Sequence, residues 1–290
     1  MSVRKLAAAS PQVGVQRGNR LRIGASHVVL IAAAIIIGVP FFWMITTAFK
    51  ASTEVYKFPP IWIPNTLHWE NFVTAWDAAP FAQFYVNSII TAAFGVVLEV
   101  AIALLSAYAF ARIDFPKRDL LFMVVLAGMM IPGQLTLVPN YVTLSRLHWI
   151  NTYQGIIVPN VSSVFGAFLL RQAILSMEKE IFEAAEVDGA SHLRQLFSIA
   201  LPMARPVVAT LTLFLFIAKW NAYLWPLIVT NTENMRTLPV GLAMVRKAEY
   251  QIGPEHLMAA SLFVLLPVLI VFVFTQKQLI EGIASGAVKG

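Results

Sequence analysis

The sequence of 290 residues contains no cysteine, which excludes a disulfide framework, a thiolate metal site and a cysteine nucleophile. Charged residues are also scarce, at 12% of the chain, against about 25% in an ordinary soluble domain. Hydrophobic residues make up 58% of the sequence, and the mean hydropathy is +0.72. A soluble protein of this size needs far more charge to cover its surface. The composition therefore indicates a membrane protein with several spans.

Six apolar stretches are long enough to cross a bilayer, whose core of about 30 Å takes about 20 helical residues. Two of them contain one interior charge each, Glu99 in the second and Lys219 in the fifth. Proline and glycine inside the third stretch are tolerated where neighbouring helices cover the loosened backbone. The sequence therefore predicts an all-α membrane protein with six transmembrane helices, at 28–49, 86–112, 120–145, 153–170, 206–230 and 257–276.

The positions of lysine and arginine favour an orientation with both termini in the cytoplasm. In this orientation 14 of the 21 bases lie inside, 6 lie outside and Lys219 lies in the membrane, as the positive-inside rule requires. The same bias accounts for the net charge of +6 without a nucleic acid as partner. The first apolar run is about 22 residues long, which favours an uncleaved anchor over a signal peptide. We expect a basic cytoplasmic tail at 1–26, a transmembrane domain at 27–279 and a cytoplasmic C-terminal tail at 280–290.

The longest predicted cytoplasmic loop, 173–205, is polar but patterned. Ser176 is placed to cap a first short helix, Gly189 to end it and Ser191 to cap a second. Pro202 ends the second helix before the next span. The pattern predicts a hairpin of two helices at the cytoplasmic surface. It leaves open whether this hairpin docks on a partner or packs on lipid headgroups.

The same loop resembles the EAA motif, the signature of ABC importer permeases. Glu183-Ala184-Ala185 is followed by Asp188-Gly189 and then, with nine residues between, by Ile199-x-Leu201-Pro202. One departure from the family pattern is Met177, which replaces a proline that is usual shortly before the motif. The resemblance implies that the loop forms coupling helices in a cleft of an ATPase subunit, with contacts from Glu183, Ala184, Ala185, Asp188, Gly189, Ile199, Leu201 and Pro202.

The likeness to this family extends over most of the chain. It is carried by Asn87-Ser88, Ile150-Asn151-Thr152-Tyr153, Trp220-Asn221, Leu224-Trp225-Pro226-Leu227 and the ending from Glu281 to Gly290. The nearest resemblance is to the second permease subunit of importers for sugars and for glycerol-3-phosphate or related phosphodiesters. It implies a type I ABC importer permease fold in the plasma (inner) membrane of a bacterium or archaeon.

The resemblance also implies partners for the chain. These are a second, different permease subunit, two ATPase subunits, an extracytoplasmic solute-binding protein and the surrounding membrane lipid. The sequence has no G-x-x-x-x-G-K-[ST] phosphate loop, so we expect ATP and Mg²⁺ on the partner ATPase and no cofactor on this chain. The chain is then a non-catalytic transport subunit.

The charges inside the predicted spans, Glu99 and Lys219, are the other candidate site. A charge at mid-bilayer costs roughly 2.5–3.5 kcal/mol on insertion scales and rarely faces lipid. Glu99 is 13 residues from Arg112 and Lys219 is 14 from Arg205, so both lie about 20 Å from the cytoplasmic end. At this common depth they can pair with each other or with the partner permease, line the substrate path, or lie in separate, unrelated environments.

Aromatic and amide side chains near Lys219 are candidates for the same path. Trp220, Asn221 and Trp225 suit a sugar, although helix packing explains them at least as well. An alternative function is an ion-coupled secondary transporter, which requires discontinuous helices and coupling carboxylates in the membrane. The predicted spans hold one interior acid, Glu99, and show no internal repeat. The cytoplasmic motif therefore favours the permease.

Overall fold

The computed structural model describes residues 13–246 and 252–287, and the side chains of 26–246 and 252–276. Within these ranges every regular element is a helix, which confirms the all-α prediction for the described residues. The predicted tails lie partly outside them, at 1–12 and 288–290. The α-helices are α1 (Val13–Ala48), α2 (Ser52–Val55), α3 (Glu70–Asp77), α4 (Phe81–Arg112), α5 (Arg118–Ala127), α6 (Leu137–Arg146), α7 (Tyr153–Ile157), α8 (Val164–Leu175), α9 (Lys179–Val187), α10 (His192–Gln195), α11 (Leu201–Met203), α12 (Arg205–Trp220), α13 (Leu224–Val229), α14 (Leu238–Val245) and α15 (Pro254–Ala287).

Three helical segments are long and apolar enough to cross a membrane without a break: Ser26–Ala48, Phe81–Arg112 and Pro254–Gln276. Three further pairs of helices qualify only if each bent pair is one span. These pairs are Arg118–Met130 with Gly133–Arg146 (87°), Tyr153–Asn160 with Val164–Leu175 (48°) and His192–Met203 with Arg205–Trp220 (81°). The described residues therefore allow three to six crossings. The six predicted spans are thus confirmed in part, and the chain is interrupted within three of them, at 120–145, 153–170 and 206–230.

The residues at the three breaks explain them. Pro132 has no backbone N–H to donate, and its ψ of 126° lies outside the helical range, so the third span is interrupted just before Gly133. Ser163 adopts an extended conformation and accepts a hydrogen bond from the Gly166 N–H at 2.9 Å, which starts α8 as a new helix. Pro206 stands in the first turn of α12, where its fixed φ suits a helix start.

Two buried clusters stabilise opposite ends of the bundle. The first cluster surrounds Tyr108, Leu170 and Phe182 near the 173–205 loop, and the second contains Phe81 and Trp220. Small side chains let α4 and α8 approach closely. A Cβ added at residue 166 would lie 3.2 Å from the Ala103 Cβ, so a larger residue there would require the neighbouring side chains to shift. Small residues at such close approaches are common between membrane helices.

The polar residues Asn87 and Asn151 stabilise the segment between α13 and α14. The fully buried Asn87 donates from Nδ2 to the carbonyls of Asn234 and Arg236, both at 2.8 Å. Asn151 has a φ of 62°, and its Oδ1 accepts from the backbone N–H of Thr232 at 3.1 Å. These bonds fix the end of the bundle that lies opposite the 173–205 loop.

Candidate functional site

The 173–205 loop contains a hairpin, which we define as residues 179–203, formed by α9 and the His192–Met203 segment. Gly189 ends α9 with a φ of 73°, a left-handed conformation that favours glycine. Ser191 Oγ accepts from the Arg194 N–H at 3.4 Å and caps α10. The predicted roles of Gly189 and Ser191 in the hairpin turn are therefore confirmed.

The predicted cap at Ser176 is wrong. This residue ends α8, and its hydroxyl donates back to the carbonyl of Ala173 at 2.8 Å. The helix α9 begins three residues later at Lys179, with Glu178 before it and Glu180 in its first turn. A serine between two helices can serve either one, and the local sequence does not say which.

The EAA-like residues divide between two surfaces of the hairpin. Glu183, Ala184, Asp188 and Gly189 are exposed, while Ala185, Ile199, Leu201 and Pro202 are half-buried. Ile199 and Leu201 pack against the first cluster. The most exposed large apolar residue nearby is Val187, at 89%. The hairpin therefore presents a small-residue and acidic surface outwards and places the second half of the motif against the bundle.

Contacts from α4 hold the hairpin on the bundle. The Arg112 guanidinium lies 3.9 Å from the centroid of the Phe182 ring, and its Nη2 donates to the carbonyls of Ile174 at 2.9 Å and Met177 at 3.0 Å. Phe182 is 4% exposed. The position at which this chain departs from the motif, Met177, thus contributes a backbone carbonyl to the Arg112 contact.

A second contact reaches the other arm of the hairpin. Tyr108 Oη donates to Gln195 Oε1 at 3.0 Å, and Gln195 Nε2 donates to the carbonyl of Ala190 at 3.0 Å. Both side chains are buried. Sequence reasoning missed Tyr108, Arg112 and Gln195. The available signal was that Tyr108 and Arg112 lie four residues apart at the end of a predicted span, on one helix face.

A cavity of about 360 Å³ lies farther along α4. Its described wall contains two charged side chains, Glu99 and Lys219, and their Oε2 and Nζ atoms are 2.6 Å apart. Lys219 Nζ also donates to the carbonyl of Asn160 at 2.7 Å. Gly95 makes room for the lysine, since a Cβ there would lie 2.7 Å from Lys219 Cδ. The remaining wall residues are Thr91, Ile156, Ile157, Pro159, Ser162, Leu215, Ala218, Ala222, Trp225, Pro226 and Thr237.

The structure separates the other residues predicted near the path. Trp225 belongs to the cavity wall, and its Nε1 donates to the carbonyl of Gly155 at 3.1 Å. Trp220 is instead buried in the second cluster, where its Nε1 donates to the carbonyl of Val264 at 3.0 Å. Asn221 follows the end of α12 and donates to the carbonyl of Ile217. Trp220 and Asn221 therefore serve helix packing and helix termination in this structure.

Comparison with known proteins gives a consistent set of relatives. A family model described as "Binding-protein-dependent transport system inner membrane component" matches residues 99–283. The probable ABC transporter permease protein YurM of Bacillus subtilis is 35% identical over 259 residues, which cover 88% of this chain and 85% of the relative. The diacetylchitobiose uptake system permease protein NgcG of Streptomyces coelicolor is 31% identical, with 90% and 87% covered. The sn-glycerol-3-phosphate transport system permease protein UgpE of Pectobacterium atrosepticum is 31% identical, with 90% and 95% covered.

Two solved structures share the fold. A chain in the crystal structure of a bacterial ABC transporter that imports the acidic polysaccharide alginate matches with a TM-score of 0.80 and 22% identity, over 90% of this chain and 97% of that chain. A chain in the alginate transporter bound to a periplasmic protein carrying alginate pentasaccharide matches with a TM-score of 0.65 and 16% identity, over 89% and 94%. At these identities the likeness concerns the fold.

Proposed function

The chain belongs to the family of binding-protein-dependent transport system inner membrane components, the ABC importer permeases. From this premise we propose that it forms half of the translocation pathway of an ATP-driven importer. The observation that carries the proposal is the placement of the hairpin. The first half of its EAA-like motif is exposed at one end of the bundle, and the unbroken helix α4 connects that end to the cavity that contains Glu99 and Lys219. A subunit of this kind needs a driver that docks on the hairpin.

The proposed assembly has six spans per permease chain and both termini in the cytoplasm. The surplus of bases on the hairpin side supports this orientation. A second, different permease completes the pathway, two ATPase subunits bind ATP and Mg²⁺, and an extracytoplasmic protein delivers the solute. The alginate transporter solved with its periplasmic protein supports the last partner. The bundle lies in a bacterial or archaeal inner membrane, and this chain catalyses no reaction itself.

Docking on the ATPase is proposed for the exposed residues of the hairpin. Ala184 and Gly189 are small and permit close approach, while Glu183 and Asp188 can pair with bases of the partner. A Cβ added at Gly189 would meet no atom of this chain within 4 Å. The space beside this glycine is therefore open to a partner.

The solute is proposed to be a sugar or a glycerol-3-phosphate-type compound, and the cavity favours the uncharged sugar. A phosphate-bearing solute would be held by unpaired arginine or lysine side chains. The ammonium of Lys219 is already engaged by Glu99 and by the carbonyl of Asn160. The described cavity wall thus has no net charge, and it offers hydroxyl groups and the indole of Trp225 to a neutral polyol.

The test is purification of the chain from its native membrane in a mild detergent, with the co-purifying proteins identified by mass spectrometry. We expect an ATPase with a phosphate loop and one other permease chain. The same purification of a Gly189→Trp variant should lose the ATPase and keep the permease partner. Recovery of the wild-type chain alone, or as a homo-oligomer without an ATPase, would refute the proposal.

A further inference from the structure

The hairpin is connected to the cavity by three routes through the fold. Two of them are the covalent neighbours of the hairpin, and both contain a bend before they reach the cavity wall. The route through α8 bends by 48° between Asn160 and Val164, and the route through α12 bends by 81° between Met203 and Arg205. Bends at breaks in helices absorb motion, because they are where backbone dihedrals change most easily.

The third route runs through α4 and has no bend. This helix is continuous from Phe81 to Arg112, and it carries the cavity residues Gly95 and Glu99 about four turns before its end. It has no peptide bond to the hairpin. Its connection to the hairpin depends on side chains, above all on the stacking of Arg112 on Phe182 and the hydrogen bond from Tyr108 to Gln195. The hydrogen bonds of Arg112 go to the carbonyls of Ile174 and Met177, just before the hairpin.

Arg112 contacts three elements at once. It is the last residue of α4, it donates to the carbonyl of Ile174 in the last turn of α8, and it stacks on Phe182 of α9. The Ile174 carbonyl also accepts from the Met177 N–H at 3.3 Å, and a carbonyl oxygen has two lone pairs, so the guanidinium takes its second acceptor position. A planar guanidinium can donate hydrogen bonds and stack on an aromatic ring at the same time, which an ammonium cannot do equally well.

We propose that Arg112 is a positioning residue that locks the hairpin to α4, so that movement of the hairpin is transmitted along α4 to the Glu99–Lys219 pair. The inference rests on the proposed function in one respect, namely that an ATPase moves the hairpin. Tyr108 supplies the second point of attachment through Gln195. With both arms of the hairpin held, α4 follows the hairpin as a rigid body.

If Arg112 only stabilised this end of the bundle, replacing it would have the same effect on coupling as replacing a similar arginine that does not reach the hairpin. Arg171 is that matched control. Arg171 donates to the carbonyl of Phe110 at 3.0 Å and to Asp119 Oδ1 at 2.9 Å, and its guanidinium lies 4.2 Å from the ring of Phe122. Phe122, like Phe182, is 4% exposed. Both arginines bond to a backbone carbonyl and stack on a buried phenylalanine, and Arg171 adds an ion pair with Asp119. The contacts of Arg171 join α4, α5 and α8 and do not reach the hairpin.

The experiment uses the complete transporter in lipid vesicles with a reporter in the cavity. Because the chain has no native cysteine, an Ala218→Cys substitution introduces a single thiol, located in the cavity wall. Exposed cysteines of the partner chains are replaced beforehand, so that this thiol is the one that maleimide labels. The rate of maleimide labelling at this thiol is measured without nucleotide and after trapping with Mg-ATP and vanadate. The trapped fraction is measured in each sample, so that variants are compared at equal trapping.

In the parent protein, trapping should change the labelling rate by about five-fold or more. A five-fold change is the lower end of typical allosteric coupling. Arg112→Lys and Phe182→Leu should each reduce this change to less than about two-fold. The controls Arg171→Lys and Phe122→Leu should keep it. Phe182→Leu removes the ring but keeps an apolar side chain at the contact, so it tests the stacking independently if the Arg112→Lys variant does not assemble.

The possible outcomes separate the two proposals. If trapping leaves the labelling rate of the parent protein unchanged, the hairpin is not coupled to the cavity and the proposed function itself fails. If the parent responds but the Arg112 and Phe182 variants respond as fully as their controls, the inference is overturned and the proposed function stands. An equal loss in all four variants would also overturn it, since it would indicate general destabilisation of this end of the bundle.

Discussion

Replacing Lys219 with methionine would leave the Glu99 carboxylate without its partner inside the bundle. The two side chains are 2.6 Å apart, and those of Glu99 and Lys219 are 8% and 15% exposed. Removal of one member of a buried ion pair costs about 3–5 kcal/mol. This pair borders a cavity of about 360 Å³ that can admit water, so we expect the free energy of unfolding to fall by about 2–3 kcal/mol.

Glu99→Gln should cost less than Lys219→Met. The glutamine amide oxygen can still accept a hydrogen bond from the ammonium, and Lys219 keeps the carbonyl of Asn160 as a second acceptor. We expect a loss of about 1–2 kcal/mol. In the double variant no charge is left unpaired, so the second substitution should recover about half of the loss caused by Lys219→Met.

The assay is denaturation in mixed detergent micelles, followed by circular dichroism, on the four proteins of the double-mutant cycle. Since the two residues are in direct contact, the losses should be non-additive by more than about 1 kcal/mol. Additive losses would refute the reasoning. They would show that Glu99 and Lys219 are stabilised by separate surroundings despite the short distance between them.

Other substitutions test individual contacts. Gly95→Val should destabilise the fold by about 1–3 kcal/mol in the same denaturation assay, because its Cβ would lie 2.7 Å from Lys219 Cδ. Asn87→Asp is nearly isosteric but replaces the donor facing two carbonyls with an acceptor, so the thermal unfolding midpoint should fall. Ser191→Ala should cost the hairpin about 1 kcal/mol of local stability, measured by hydrogen exchange over α10. Ser176→Ala should leave that exchange unchanged, since its hydroxyl bonds within α8.

The apolar runs identified stretches that are long enough to cross a membrane, but they did not show where the helices break. The first, second and last predicted spans correspond to unbroken helices, whereas the other three are interrupted, the fifth of them between Trp220 and Leu224. Hydropathy is an average over a window, and an average does not register a break of two or three residues. Pro132 and Gly133 were visible in the sequence, but membrane helices often tolerate both, so their presence did not decide between a kink and a break.

Local chemistry predicted the hairpin turn well and its attachment poorly. The left-handed conformation of Gly189 and the cap at Ser191 depend on neighbours within three residues, so the local sequence is enough to predict both. Arg112 and Tyr108 find their partners 62 and 87 positions away. A backbone carbonyl is present at every residue, so no sequence pattern identifies which one an arginine will reach.

The broken spans bear on the choice between an ABC permease and an ion-coupled transporter, because discontinuous helices are typical of the latter. They do not decide it, since the alginate ABC transporter chain shares this fold over 90% of the present chain. The intramembrane acid is more informative. A coupling carboxylate must be free to bind and release its cation, whereas Glu99 is held by Lys219 at 2.6 Å. The pairing of Glu99 with Lys219 therefore counts against ion coupling through this acid. It agrees with the proposed permease, in which the driving ATPase is proposed to dock on the exposed EAA-like surface of the hairpin.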